Sequence, residues 1–91
     1  MTFEGLPGWE IVEPGLADHA RGVESVPALV VAIGAPRLRR LGLRIDGPDV
    51  QAPEHRLYAL LSAEDSDSAH SRYNALVRRL VSFERAAECV S

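Results

Sequence analysis

The sequence predicts a small all-α protein, a bundle of three to four helices with an extended N-terminal lead-in. Apolar residues make up 46% of the chain but aromatic residues only 5%, so the core must consist mainly of Leu, Val, Ile and Ala. These residues suit close-packed helices. A chain of 91 residues is too short for a second independent core, so we predict a single domain over residues 1–91.

The N-terminal segment, residues 1–13, is predicted to be a loop or an extended lead-in, because two glycines and a proline in it oppose a helix. Trp9 and Ile11 are available to pack on the body of the protein. A short helix should follow, with Pro14 in its first turn and Gly22 at its end.

The apolar stretch after Ser25 predicts a second helix over residues 26–41. Ser25 is a good N-cap, and the apolar positions that follow recur at helical spacing. Gly34 and Pro36 predict a kink or short break, because proline lacks the backbone donor that a helix interior needs. Gly42 should end the helix.

The same stretch has an alternative interpretation as a buried strand, Leu29 to Ile33, that leads into a helix as in nucleotide-binding α/β proteins. The chain offers no second convincing strand, and Gly34 stands without a phosphate-loop pattern. We therefore favour the helix, while short apolar runs leave the strand open.

The C-terminal half predicts a loop over residues 42–52, a helix from Pro53 to about Glu64, and a long last helix after the polar break at residues 64–68. The last helix carries an apolar stripe spaced 3, 4, 3, 4 and 3 residues apart, which must face other helices. The stripe consists of Tyr73, Leu76, Leu80, Phe83, Ala87 and Val90.

Composition favours a bacterial, cytoplasmic protein. All ten basic residues are Arg, a bias that follows GC-rich codons, and the single Cys89 cannot form an internal disulfide. The N-terminus lacks the basic start and apolar run of a signal peptide, and no stretch approaches the length of a membrane span. We expect no membrane association.

Four arginines form the densest basic patch of the chain, and they are candidates for binding a partner. They are Arg37, Arg39, Arg40 and Arg44. Arginine makes bidentate contacts with phosphates and with carboxylates, so the patch could hold nucleic acid or an acidic protein surface. The favoured alternative is that these side chains complement the end of a helix and pair with Asp46 and Asp49.

A second candidate partner surface lies at the start of the last helix, where Tyr73, Asn74 and Arg78 occur within two turns. Tyrosine and arginine are enriched in protein interfaces. An ordinary amphipathic helix, in which arginine stems cover apolar neighbours, explains the pattern equally well.

A metal site is a weaker possibility at the turn between the last two helices, where His55, Asp65, Asp67 and His70 could meet. No pair has the one-turn spacing of a helical metal site, and aspartates before a helix are commonly caps. Cys89, near the C-terminus of the last helix, is a poor candidate for a nucleophile. We therefore predict no catalytic residue, no metal and no cofactor.

For function, the sequence favours a non-catalytic protein-interaction or accessory domain that uses helix faces to contact a protein partner or a second copy of itself. The reason is that the chain has more apolar residues than the core of one small bundle should need, above all in residues 26–33. Nucleic-acid binding through the arginine patch is one alternative, although an acidic chain repels duplex DNA. A small metal protein or enzyme is the other.

Overall fold

The computed structural model describes residues 3–90, which form an all-α bundle of four helices. The helices are α1 (Trp9–Ala20), α2 (Val26–Arg40), α3 (Pro53–Glu64) and α4 (Ala69–Val90). The described residues contain no strand, so the all-α prediction is confirmed. The strand alternative for residues 29–33 is wrong, because they lie inside α2.

The predicted lead-in over residues 1–13 is wrong for its last part, because α1 already begins at Trp9 and Pro14 lies inside it. Proline deprives one carbonyl of its helical partner, here that of Glu10. Glu10 and Pro14 are both exposed, so water can satisfy this carbonyl. Gly8 precedes the helix with φ 88°, a conformation that favours glycine. Met1 and Thr2 lie outside the described residues.

The start of α2 is capped as the sequence predicts. The Ser25 hydroxyl accepts a hydrogen bond from the backbone N–H of Ala28 at 3.3 Å, and it donates one to Asp18 Oδ2 at 2.7 Å. The second bond ties the end of α1 to the start of α2. No break occurs at Gly34 and Pro36, because α2 runs as one helix through both.

Helices α3 and α4 follow the predicted boundaries. Pro53 is the first residue of α3, and the backbone of Ala52 before it is left-handed, with φ 47°. On α4 the predicted apolar stripe faces inward over Leu80, Phe83 and Ala87, which are buried. The opposite face is exposed at Asn74, Arg78, Ser82 and Arg85.

The bundle covers its own apolar segments, with α2 packed against all three other helices. The largest fully buried side chains are those of Phe83, Leu29, Leu38, Leu57 and Leu61. The accessible surface is 5286 Å², against about 5,200 Å² expected for a compact monomer of this mass. The apolar side chains of residues 26–33 therefore pack within the chain and do not form a separate exposed apolar face.

Among residues 3–90, no helix is both long enough and apolar enough to cross a membrane.

Candidate functional site

The arginine patch is largely occupied by ion pairs within the chain, beginning with Arg37. This side chain reaches from α2 to α4, where Nη2 lies 2.7 Å from Glu88 Oε2 and Nη1 lies 3.6 Å from Glu84 Oε1. Glu84 is buried, at 5% exposure. Burial raises the pKa of Glu84, and the Arg37 charge partly opposes that rise. Arg37 thus serves the contact between α2 and α4.

Arg39 and Arg44 contact the acidic loop, in the pairing that the sequence favoured. Arg39 Nη2 lies 3.9 Å from Asp49 Oδ1, and Arg44 Nε donates to Asp46 Oδ1 at 3.1 Å. Arg40 is exposed and makes no ion pair among residues 3–90. With three of its four cations paired, the patch does not form an open basic row for phosphates.

An aromatic cluster lies on the surface where α3 and α4 pack together. The Tyr58 ring lies 5.7 Å from the Tyr73 ring and 6.4 Å from the His70 ring. Tyr58 is 39% exposed, which is unusual for a large ring in contact with two others. Tyr73 packs in part against the core, while Tyr58 and His70 are exposed, so the cluster presents part of its aromatic surface to the outside.

Two polar residues extend this cluster along α4. Asn74 Nδ2 donates to His70 Nε2 at 3.2 Å, which fixes the amide beside the rings. Arg78, one turn further along, is exposed and makes no ion pair within the described chain. We name this surface the hairpin face. It consists of Tyr58, His70, Tyr73, Asn74 and Arg78.

Sequence reasoning selected three members of the hairpin face, Tyr73, Asn74 and Arg78, but missed Tyr58 and considered His70 only as a metal ligand. The missing signal was the pairing of α3 with α4 across a turn of four residues, 65–68. In such a hairpin, residues at similar distances from the turn become neighbours. Tyr58 and Tyr73 meet the condition, since they lie seven and five residues from the turn.

The residues considered for a metal site are not gathered into one. No group of three or more His, Cys, Asp or Glu residues suited to a metal occurs among residues 3–90. Asp65 instead acts locally, since its Oδ1 accepts from the Asp67 N–H at 3.1 Å. His70 contacts Tyr58 and Asn74.

His19 is a buried polar side chain that sequence reasoning did not single out. It is only 4% exposed, and its Nδ1 lies 2.6 Å from the backbone oxygen of Asp46. It lines a cleft of about 210 Å³ between the end of α1 and the loop that precedes α3. A lone histidine in an amphipathic helix gives no sequence signal for such a position.

No family model matches the sequence, and neither a curated protein nor a solved structure is similar to it. The arguments about function therefore rest on the side chains of this chain alone.

Proposed function

We propose that the protein is a non-catalytic interaction domain that binds an acidic surface of another protein through the hairpin face. The observation that carries the proposal is the exposed ring of Tyr58, held against Tyr73 and His70. Rigid aromatic rings beside an arginine are the side chains that contribute most to protein interfaces.

The rings are held in place before a partner arrives. Arg72 and Glu64 form an ion pair at 2.9 Å that joins α4 to the end of α3, and the Asn74 amide is bonded to His70. A surface that is already ordered loses less conformational entropy on binding. This supports recognition by a fixed face rather than by a segment that folds on binding.

The charge of the neighbouring α4 surface supports an acidic partner. Arg78 and Arg85 both lie on the exposed side of α4, and neither makes an ion pair among residues 3–90. The cations of this side are therefore available, although the whole chain has a net charge of −3. An acidic surface complements them, and such complementarity accelerates association and selects among partners.

A different protein suits this face better than a second copy. In a two-fold symmetric dimer the same patch lies on both sides of the interface. Arg78 and Arg85 would then approach a face of like charge, which disfavours the contact. We therefore assign the helix-face contact expected from the sequence to a different protein and not to a second copy of this chain.

Photo-crosslinking at defined positions tests the proposal in the cells that make the protein. A photoreactive amino acid at position 74 or 82 should give one discrete adduct containing a second, acidic protein, identified by mass spectrometry. The same group at Glu13 or Glu54, which are exposed on α1 and α3, should give none.

Charge reversal supplies a matched control. Arg78→Glu should lower the adduct yield from position 74 about tenfold, because an attractive contact becomes a repulsive one. Arg40→Glu makes the same change at an exposed, unpaired arginine outside the hairpin face and should leave the yield unchanged. Adducts at all four positions, an adduct of two copies of this chain, or none at all would contradict the proposal.

A further inference from the structure

The cleft beside His19 lies apart from the hairpin face and has the features of a binding site. The loop before α3 packs over the end of α1. Gly47 of this loop adopts φ 105°. A Cβ atom on Gly47 would collide with the His19 carbonyl, so the loop is packed directly on this residue. The cleft that remains has a volume of about 210 Å³. Its walls include Val23, Leu29 and Val50.

One hydrogen bond sets the chemistry of the His19 ring. The Asp46 carbonyl can only accept, so His19 Nδ1 carries a hydrogen and donates it across the 2.6 Å contact. In the neutral ring Nε2 then bears the free lone pair and is a hydrogen-bond acceptor.

The second ring nitrogen is open to at least one of the two clefts that His19 lines, and both clefts also include Asp49 and Val50. His19 Nε2 makes no hydrogen bond among residues 3–90. Every fully buried side-chain nitrogen or oxygen in these residues does have a partner, so Nε2 is not fully buried. Because His19 as a whole is 96% buried, Nε2 must reach solvent through the clefts that the residue lines. A largely buried acceptor is thus within reach of a small ligand beside Asp49 and Val50.

The charges around the cleft favour a donor or a cation. Arg56 is already bonded, since Nη1 donates to both oxygens of Glu24 at 3.0 Å and Nε donates to the Gln51 carbonyl at 3.0 Å. Asp49 also lines the cleft, and its nearest cation is Arg39 at 3.9 Å. Arg56 is thus satisfied within the chain, while Asp49 makes only a long ion pair with Arg39 and its side chain is 88% exposed, so Asp49 and His19 Nε2 are the acceptors that a ligand can still reach.

We propose that this cleft binds a small organic amine, with its N–H groups directed to His19 Nε2 and its positive charge near Asp49. Its apolar body would lie against Val23, Leu29 and Val50. An apolar cavity of about 150 Å³ holds benzene, so this cleft takes a ligand of about six to ten non-hydrogen atoms. The site is independent of the hairpin face and shares no residue with it.

Three probes of the same shape and different charge test the proposal: benzylamine, benzyl alcohol and benzoate. Each is titrated into the full chain while NMR follows the methyl groups of Val23, Leu29 and Val50 and the ring of His19. Benzylamine should shift these signals saturably, with a Kd about tenfold below that of benzyl alcohol, since a charge-assisted hydrogen bond is the stronger one. Benzoate should give no saturable shift.

Asp49→Asn should bring the Kd of benzylamine close to that of benzyl alcohol. The side chain of Asp49 is 88% exposed, so the change should leave folding intact. Asp67→Asn is the matched control, because it removes an exposed carboxylate outside the cleft and should leave the titration unchanged. Equal binding of all three probes, tighter binding of benzoate, no saturable shift, or shifts confined to residues outside the cleft would overturn the proposal.

Discussion

Residues 3–90 contain two clusters of three aromatic rings with similar ring distances, and the clusters differ in how far their central rings are buried. In the first, which we name the core cluster, Phe3, Trp9 and Phe83 have centroid distances of 5.9 to 6.4 Å. In the hairpin face, the Tyr58 ring lies 5.7 Å from the Tyr73 ring and 6.4 Å from the His70 ring. Ring distances alone therefore do not separate a structural cluster from a proposed recognition surface.

Burial separates the two clusters. Phe83 is fully buried, at 0% exposure, because the N-terminal segment folds over α4, whereas Tyr58 is 39% exposed and only partly covered by α4. Loss of the Phe83 ring removes fully buried apolar area from the core, and loss of the Tyr58 ring removes less buried area. The core cluster should control stability, and the hairpin face should control binding.

Phe83→Ala should have the largest effect on stability, a loss of about 4 kcal/mol, because it leaves a cavity at the centre of the core cluster. Trp9 is the only tryptophan and lies 5.9 Å from Phe83, so its fluorescence reports the unfolding transition directly. Chemical denaturation followed by this signal gives the free energy of unfolding. A loss below about 1 kcal/mol would show that the cluster is not structural.

Gly8→Ala should cost about 3 kcal/mol, because the new Cβ atom would lie 2.7 Å from the Arg79 oxygen and 2.9 Å from Phe83 Cβ. Gly5→Ala is the matched control. Gly5 has a similar φ of 82° but nothing within 4 Å of the added atom, so only backbone strain of about 1 kcal/mol is expected. Equal losses in the two variants would mean that the contact with α4 adds nothing.

Glu84→Gln should stabilise the protein at neutral pH, because it removes a charge that burial disfavours, keeps the shape of the side chain and leaves Arg37 its ion pair with Glu88. Burial raises the pKa of Glu84 in the folded state, so the folded chain retains this proton to higher pH than the unfolded chain. The stability that the protonated Glu84 carboxyl contributes is fully present below the pKa of the unfolded chain. It is lost as the pH rises through the pKa of the folded chain. The advantage of the variant should therefore grow between pH 4 and pH 7.

Glu10→Gln provides the opposite case on the exposed side of the core cluster. The hydrogen bond from Arg79 lowers the pKa of Glu10, so its contribution to stability is lost as the pH falls through the folded pKa. Thermal unfolding of both variants across the pH range should give slopes of opposite sign relative to the natural protein. Slopes of the same sign would contradict the assignment for Glu84.

Tyr58→Ala should have the smallest effect on stability, a loss below about 1 kcal/mol. The ring contact is worth about 0.5 to 1.5 kcal/mol, and the higher helix propensity of alanine offsets part of it. Denaturation followed by Trp9 fluorescence measures the effect, while crosslinking from position 74 should fall at least tenfold. A large loss of stability with crosslinking retained would reverse the roles of the two clusters.

The sequence predicted the helices well because their signals are local. Ser25 as N-cap, Pro53 as first residue of α3 and the stripe of α4 all depend on neighbours within one or two turns. The start of α1 was missed because its first turn is held by a distant contact, the stacking of Trp9 on Phe83. Local rules placed Pro14 at the start of the helix, whereas tertiary packing extended the helix beyond it.

The candidate sites were predictable only where one helix carries them. Tyr73, Asn74 and Arg78 lie on one stretch of α4, whereas Tyr58 joins them through the packing of α3 on α4. The cleft could not be predicted at all, because the bond between His19 and the Asp46 carbonyl spans 27 residues. Such a bond depends on the path of a loop, which the periodicity of apolar residues does not encode.

The central claim is that the core cluster completes the chain's own core, whereas the hairpin face is free to bind another protein. The solution mass tests this claim most directly. It is measured by light scattering coupled to gel filtration over a range of concentrations. The account predicts a monomer of 9.9 kDa throughout, because the apolar faces of α2 and α4 are covered within the chain. A species of twice that mass that Tyr58→Ala or Arg78→Glu returns to monomer would contradict it, since a second copy would then occupy the hairpin face.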